Sequence, residues 1–289
     1  MYMKKSLKKL FISNYTIDNY FGRFGNNLQQ IALGIMYAKL YKKNFYLKNH
    51  ELVHDFSIIH NQFSDIFNKY KHESRFYYFE SSTQKPSKIQ PLDEPLNEND
   101  KDYYKDNFYN IFQKYIYPNL KFRKEINIEK NTLVIHIRNG DIFEENYKNF
   151  YIQNPLIYYL ELIEKFEKVI IVSSKQFNNP VMPILSKHPK VEIQSSTITD
   201  DFNVLLSANN LATSGVGTFP IAAALSSKKL NNLYYSNIFF NHHLNPLLVK
   251  NVKHFQYHFH NYLKIGTEWI GSKEQNETML SKNIKMEKY

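Results

Sequence analysis

Apolar and polar positions alternate with two different periods along this chain, and the alternation predicts its elements. After "GRFGNN" (Gly22–Asn27), Leu28, Ile31, Leu33, Ile35, Met36 and Leu40 recur with approximate helical spacing. "KKLFIS" before that loop and "NFYL" after the helix read as strands, which makes a βαβ unit. From 81 to 102 three prolines and almost no large apolar residue predict a loop or insertion. "YYKDNFYNIFQKYIY" predicts a long helix ended by Pro118.

The second half is more regular. "TLVIHIR", "KVIIVSS", "KVEIQSS", "LATSG" and "NLYYSN" read as strands. Between them "NPLIYYLELIEKF", "PVMPILSKH", "TDDFNVLLSANN" (Thr199 or Asp200 as N-cap) and "TFPIAAALSS" read as helices. Strict alternation of this kind predicts an α/β fold, with parallel sheets, helices on their faces, and ligands at the carboxyl ends of the strands. The expected organisation is two Rossmann-like domains facing a cleft. Residues 1–130 form the first, with the 81–102 loop, 131–262 form the second, and 263–289 form a tail packing back.

Composition narrows the partners. With 289 residues and 43% apolar content the chain supports one or two domains with real cores. There is no cysteine, which excludes disulfides and thiolate zinc sites and is compatible with a reducing, cytoplasmic location. No apolar run approaches the ~20 residues of a membrane span, and "MYMKKSLKKLFISN" has too short an apolar core for a signal peptide. Lys and Arg exceed Asp and Glu by 37 to 27, a formal charge of +10, which favours polyanionic partners. Lys4, Lys5, Lys8 and Lys9 cluster and suit peripheral contact with an anionic membrane face. No basic-aromatic motif points to nucleic acid, despite 23 tyrosines.

Candidate chemistry sits in two kinds of place. Gly22 and Gly25 can take φ > 0 or admit a close ligand, while Arg23, Asn26 and Asn27 offer donors to an anionic or polyhydroxylated molecule; the alternative is a loop that simply turns into a helix. In "TLVIHIRNGDIF", strand alternation puts His136 and Arg138 on one side, and "NGD" turns the chain at a strand's carboxyl end. There a guanidinium suits a diphosphate. The structural alternative makes His136 a core residue and pairs Arg138 with Asp141. Asp200 and Asp201 suggest a metal pair, but their place at a helix start suggests capping instead. The three histidines of "HFQYHFH" (His254–His260) lack the spacing of a zinc site and read as a packed or interfacial segment.

Taken in order, "GRFGNN", "HIRNGD" and "SGVGTFPIAAAL" resemble three regions of the fucosyltransferase superfamily, over about Gly22 to Leu225. The resemblance implies a GT-B-like fold and metal-independent, inverting transfer from a nucleotide sugar, most commonly GDP-fucose, to a glycan acceptor, with no cofactor beyond the donor. It implies that Arg138 contacts the β-phosphate and eases departure of GDP, with His136 near the nucleotide. It implies that Gly217, Thr218 and Phe219 lie beside the phosphates and base, and that Gly22, Arg23, Phe24, Gly25 and Asn26 face the donor from the opposite wall, Asn26 reaching a sugar hydroxyl or the glycosidic oxygen. Asp141, Glu144 and Glu145 are candidate bases. "YIQNPLIYY" and "EWIGSKEQNETML" look like a less characterised branch of the superfamily. Asn139 stands where "HIRRGD" has a second arginine, Pro220 where a serine is usual, and "SGVGTF" is one residue longer than "SNSTF". A noncatalytic nucleotide- or carbohydrate-binding module on the same fold is the alternative.

Overall fold

The computed structural model describes residues 14–17, 19–40, 42–60, 69–71, 98–144, 149–241 and 243–289. The expected strand over 8–13, the Lys4 to Lys9 cluster, residues 81–97 of the expected insertion and Glu145 lie outside them. The chain divides into two compact units, 1–123 and 124–289. The division falls before 131 because segment 124–130 is tied to the second unit. The Lys124 N–H donates to Asn203 Oδ1 at 3.2 Å, the Ile126 N–H donates to Ser207 Oγ at 3.2 Å, and Asn210 Nδ2 donates to the Lys130 carbonyl at 2.7 Å.

In the first unit β1 (Asn14–Ile17) leads into α1 (Phe24–Leu40) and then β2 (Asn44–Leu47), and β1 and β2 pair in parallel. This is a βαβ unit whose helix and second strand lie where the apolar pattern predicts them, while its first strand runs over 14–17 rather than the expected 8–13. β3 (Phe56–Ile58) adds antiparallel to β2, and β4 (Lys69–Lys71) adds parallel to β1 on its other side, giving the order β3-β2-β1-β4. α1 is buried nearly all round, with Leu28, Ile31, Leu33, Ile35 and Met36 fully excluded from water. A helix of that kind packs on more than one side. Here it meets β1, β2 and α2 (Glu98–Ile111). α2 begins inside the stretch expected to be loop, since "ENDKD" lacks large apolar residues yet has the acidic types that a helix start accepts. The helix then loosens into a π turn (Phe112–Ile116) and a 3-10 turn (Tyr117–Asn119) that carries Pro118. Pro118 lacks the N–H that a further α turn would need.

The second unit holds a seven-stranded sheet. Its strands are β5 (Thr132–His136), β6 (Lys168–Val172), β7 (Val191–Gln194), β8 (Asn210–Ala212), β9 (Asn232–Ser236), β10 (Lys253–Phe259) and β11 (Met286–Lys288). Their order is β11-β10-β9-β8-β5-β6-β7, parallel throughout except for the antiparallel β11. α3 (Leu156–Glu164), the short α4 (Met182–Leu185), α5 (Ile198–Leu206) and α6 (Phe219–Ser226) occupy the crossovers. The chain starts at the centre, steps outward through β6 and β7, then returns to β8 on the other flank of β5. Counted from β5, this is the doubly wound order 3-2-1-4-5-6, whose crevice opens at the carboxyl ends of the two strands where the winding reverses. β5 is buried along its whole length, as a strand covered on both faces must be.

Two segments read as packed on the core or packing back take regular structure there. "HFQYHFH" is mostly strand β10, whose aromatic side chains pack on the core through Phe255, Tyr257 and Phe259. Segment 263–289 contains α7 (Lys273–Leu280) and β11, which pairs with β10 and belongs to the second unit. Among the described residues no helix is long and apolar enough to cross a membrane.

Candidate functional site

The winding reversal puts two loops side by side in the second unit, one leaving β5 and one leaving β8. Beyond His136 the chain runs through the buried Ile137 to Arg138, and then Gly140, at φ 84°, reverses it into a 3-10 turn over Asp141–Phe143. A positive φ of that size is where glycine carries no Cβ penalty. Arg138 Nη2 donates to Asp141 Oδ1 at 2.9 Å, and the two side chains are 22% and 35% exposed. The pairing raised as the structural alternative is therefore present. It ties the guanidinium to the turn that follows it and occupies one oxygen of Asp141. Glu144 is exposed at the end of the same turn.

Asn139 explains its own presence. It is 1% exposed, donates to Ser173 Oγ, and accepts from the Asn179 N–H at 2.9 Å. Asn179 Nδ2 in turn donates to the Arg138 carbonyl at 2.9 Å, and Asn178 exchanges hydrogen bonds with both backbone groups of Gly140 at 2.8 and 3.1 Å. An arginine could not occupy so small and so fully satisfied a site without leaving its charge buried. The rim carrying Arg138 is thus stapled to the loop after β6.

The β8–α6 loop is held from the other direction by Ile152, Gln153 and Asn154, which sequence reasoning gave no role. The Asn154 N–H and Nδ2 donate to the carbonyls of Ser214 (2.8 Å) and Thr213 (2.9 Å), and Asn154 Oδ1 accepts from Ser236 Oγ at 2.6 Å. Gln153 Nε2 donates to the Val216 carbonyl at 3.0 Å, and the Val216 N–H donates back to Ile152 at 3.1 Å. Gly215 sits at φ 108° between them, and a Cβ there would stand 2.7 Å from the Ile152 carbonyl oxygen. Gly217 differs: a Cβ there would meet nothing within 4 Å. The protein's own packing does not demand that glycine. Thr218 is the N-cap residue of α6 in right-handed helical conformation, and Pro220 lies in the first turn, where a missing N–H is harmless. The leading amides of α6 and the positive end of its dipole thereby face the loop's end.

The two loops meet through aromatic rings. His136 and Phe219 have centroids 5.5 Å apart, and Phe219 is backed edge-on by Phe202 of α5 at 5.3 Å. Burial, and then the nearby Arg138 charge, push the His136 imidazole down to about 3, so the ring is neutral at physiological pH. Its Nδ1, Arg138 Nε, Ser214 Oγ and Gln153 Oε1 are buried without a hydrogen-bond partner among the described residues. Buried polar atoms are normally satisfied, and these four lie on the segments that meet at the ends of β5 and β8.

The opening segment of the first unit is more helical than expected. Gly22 takes φ 74°, but Gly25 lies inside α1 and is buried, so only the first glycine performs the turn. The Arg23 carbonyl accepts from the N–H groups of Asn26 (2.8 Å) and Asn27 (3.1 Å), which starts the helix, while the Arg23 side chain is exposed. Phe24 is 4% exposed and packs on Phe122 and His50, so its ring serves the core rather than a ligand. Asn26 is half-buried on the helix's first turn. Asn27 Nδ2 donates to the carbonyls of Phe21 (3.0 Å) and Gly22 (3.4 Å), and its Oδ1 faces His50 Nε2 at 3.4 Å. His50 Nδ1 accepts from the Leu52 N–H at 3.0 Å, which leaves the ring proton on Nε2; burial and then Lys121 push its pKa down to about 4.

Asp200 and Asp201 are hydrogen-bonded at the start of α5. Thr197, not Thr199 or Asp200, is the N-cap of α5 and accepts from the Asp200 N–H, because its extended backbone precedes the first helical residue. Asp200 Oδ2 accepts from the hydroxyls of Ser196 and Thr197, and Asp201 Oδ1 accepts from the Ser196 N–H and Gln194 Nε2. Among the described residues no group of three or more His, Asp and Glu side chains is placed to hold a metal ion. Compared with protein-family models, curated proteins and solved structures, the chain matches none.

Proposed function

We propose that this chain is a glycosyltransferase that moves fucose, or a related sugar, from a GDP-sugar to a glycan acceptor with inversion and without a metal. The observation that carries the reading is the convergence of "HIRNGD" and "SGVGTF" on one sheet crevice, with Arg138 at the rim of β5, the α6 amides beyond β8, and His136 against Phe219 between them. Glycosyl transfer leaves negative charge on the departing diphosphate, so fixed cationic and N–H donors at that position accelerate it. Arg138 supplies the charge, the first turn of α6 supplies amides, and the uncrowded Gly217 lets a phosphate approach the main chain. In the proposal the two Rossmann-like units adopt a GT-B-like arrangement around a cleft, with Gly22, Arg23 and Asn26 on the acceptor-side unit. Asp141 orients Arg138, and the acceptor proton passes to a carboxylate such as Glu144 or to the leaving phosphate.

The noncatalytic binding module keeps one observation in its favour. The Arg138 guanidinium already shares its charge with Asp141. Incubation of the purified protein with GDP-fucose and related nucleotide sugars, followed by chromatography of the nucleotide products, separates the two. Release of GDP that depends on Arg138 supports the transferase, and GDP binding without turnover of any sugar nucleotide supports the module.

A further inference from the structure

Asn139 and Gly140 form the only asparagine–glycine pair in the sequence. Such a pair can react with itself: the glycine nitrogen attacks the asparagine side-chain carbon Cγ, and the missing Cβ leaves that approach unhindered. The structure holds both reacting groups in other contacts. The Gly140 N–H donates to Asn178 Oδ1 at 2.8 Å, and the Gln176 side chain covers Gly140, its Oε1 2.7 Å from where a Cβ would stand. The Asn139 carboxamide is buried, donating from Nδ2 to Ser173 Oγ and accepting at Oδ1 from the Asn179 N–H at 2.9 Å.

The two halves of this lock are unequal. Residues 174–178 are exposed and belong to no helix or strand, whereas Asn139, Ser173 and Asn179 are buried. Ser173 is committed on both sides: its Oγ accepts from Asn139 and gives its single hydrogen to the Ile137 carbonyl at 2.7 Å. An ionised carboxylate at 139 would have no hydrogen to give Ser173 and would be offered none by it. Aspartate there sets oxygen against oxygen and buries a charge that only the Asn179 N–H answers. Asparagine closes this site, and aspartate does not.

We propose that Asn139 is a deamidation site that the fold keeps closed, and that release of segment 173–179 from the turn after β5 opens it to irreversible conversion. In the open state hydroxide takes the Gly140 N–H proton and the nitrogen bonds to Asn139 Cγ. The Cγ–Nδ2 bond breaks, Nδ2 takes a proton from water and leaves as ammonia, and a five-membered succinimide remains. Water then adds to one of its two carbonyls and breaks that carbon's bond to the ring nitrogen, giving aspartate or isoaspartate at 139. Neither product restores the Ser173 contact, and isoaspartate adds a backbone carbon between Arg138 and Gly140. The turn that carries Arg138 therefore does not close again. Because conversion passes through a locally open state, its rate follows the population of that state. The glycosyltransferase reading plays no part in this step, so the two stand or fall separately.

Full-length wild type and Ser173→Ala, incubated at mildly alkaline pH both native and in guanidinium chloride, test this. Mass spectrometry of the peptide containing residue 139, with synthetic standards to separate aspartyl from isoaspartyl forms, gives the conversion rates. Unfolded, the two chains should convert at the same rate. Native wild type should convert at least roughly 10-fold more slowly than that, and native Ser173→Ala roughly 3- to 10-fold faster than native wild type, as expected for one hydrogen bond made only in the closed state. Asn139→Asp, the aspartyl product made directly, should exchange its amide hydrogens across 173–179 faster than wild type. The proposal is overturned if residue 139 of the unfolded chain does not convert, or if native wild type converts as fast as the unfolded chain; both comparisons need no variant. It is overturned equally if Ser173→Ala converts no faster than wild type, or if Asn139→Asp exchanges as slowly as wild type.

Discussion

His136 and Phe219 lie ring to ring with centroids 5.5 Å apart, although 83 positions separate them, and this contact joins the end of β5 to the start of α6. It also keeps the imidazole buried and neutral. The native pKa, about 3, lies well below the unfolded value near 6.5, so between those limits the unfolded chain binds the extra proton. Stability attributable to this group is therefore intact above about pH 6.5 and falls as pH drops toward 3, by roughly 5 kcal/mol in total. Urea titrations of wild type and His136→Gln from pH 7.5 to pH 4 check it. The wild type should lose stability more steeply below pH 6.5, and parallel curves would contradict the burial argument.

Gly215 and Gly217 sit two residues apart and should respond oppositely to alanine. Gly215→Ala meets both a left-handed φ and the Ile152 carbonyl, a backbone obstacle that cannot swing aside, so a loss of ~2 kcal/mol or more is expected. Gly217→Ala meets open space and should change stability by no more than ~0.5 kcal/mol. If a phosphate approaches that main chain, the same methyl weakens GDP binding. Thermal melts and calorimetry of both variants give the two readouts.

Asn154 ties the ends of β8 and β9 together through Thr213, Ser214 and Ser236. Asn154→Ala leaves buried Thr213 and Ser236 groups without their partner and should cost about 1–3 kcal/mol. Asn154→Asp removes only the Nδ2 donor and buries a charge, so it should be at least as damaging. A melting temperature unchanged in both would show that the loop is held by other contacts.

Much of this architecture was legible in the sequence because it follows from periodicity. The buried run of β5, the alternation from β5 to β9 and the proline in the first turn of α6 each state their local structure directly. What was not legible depends on long-range pairing. β3, β4 and β11 are three residues each, too short to show a period, and β10 reads as an aromatic cluster until it pairs with β9. Within the site, the residue types at Arg138 and Gly215 announce a cation and a turn, but nothing local reveals that Asn154 bonds residues about sixty positions away or that Asn139 is buried against Ser173. Paired amides before a proline, as in "QNP", are the nearest thing to a signal. The boundary between the units shows no local signal for a related reason: 124–130 has no element of its own, and its bonds to Asn203, Ser207 and Asn210 tie it to the second unit.

The Arg138–Asp141 pair separates two roles that the sequence left joined. Asp141→Asn keeps the shape but removes the carboxylate's charge. If Asp141 only orients the guanidinium, donor turnover should fall modestly, with no change in the pH at which the rate rises. If Asp141 accepts the acceptor's proton, turnover should collapse and that pH dependence should vanish. Rate-against-pH profiles of the two proteins distinguish these outcomes.

The most direct measurement is calorimetric titration of GDP into the wild type and Arg138→Ala at matched ionic strength. The account predicts saturable binding by the wild type, weakened in the variant by roughly 1.5–3 kcal/mol, about 10- to 150-fold, with the melting temperature in the absence of nucleotide little changed. Equal affinity in the two proteins would contradict it.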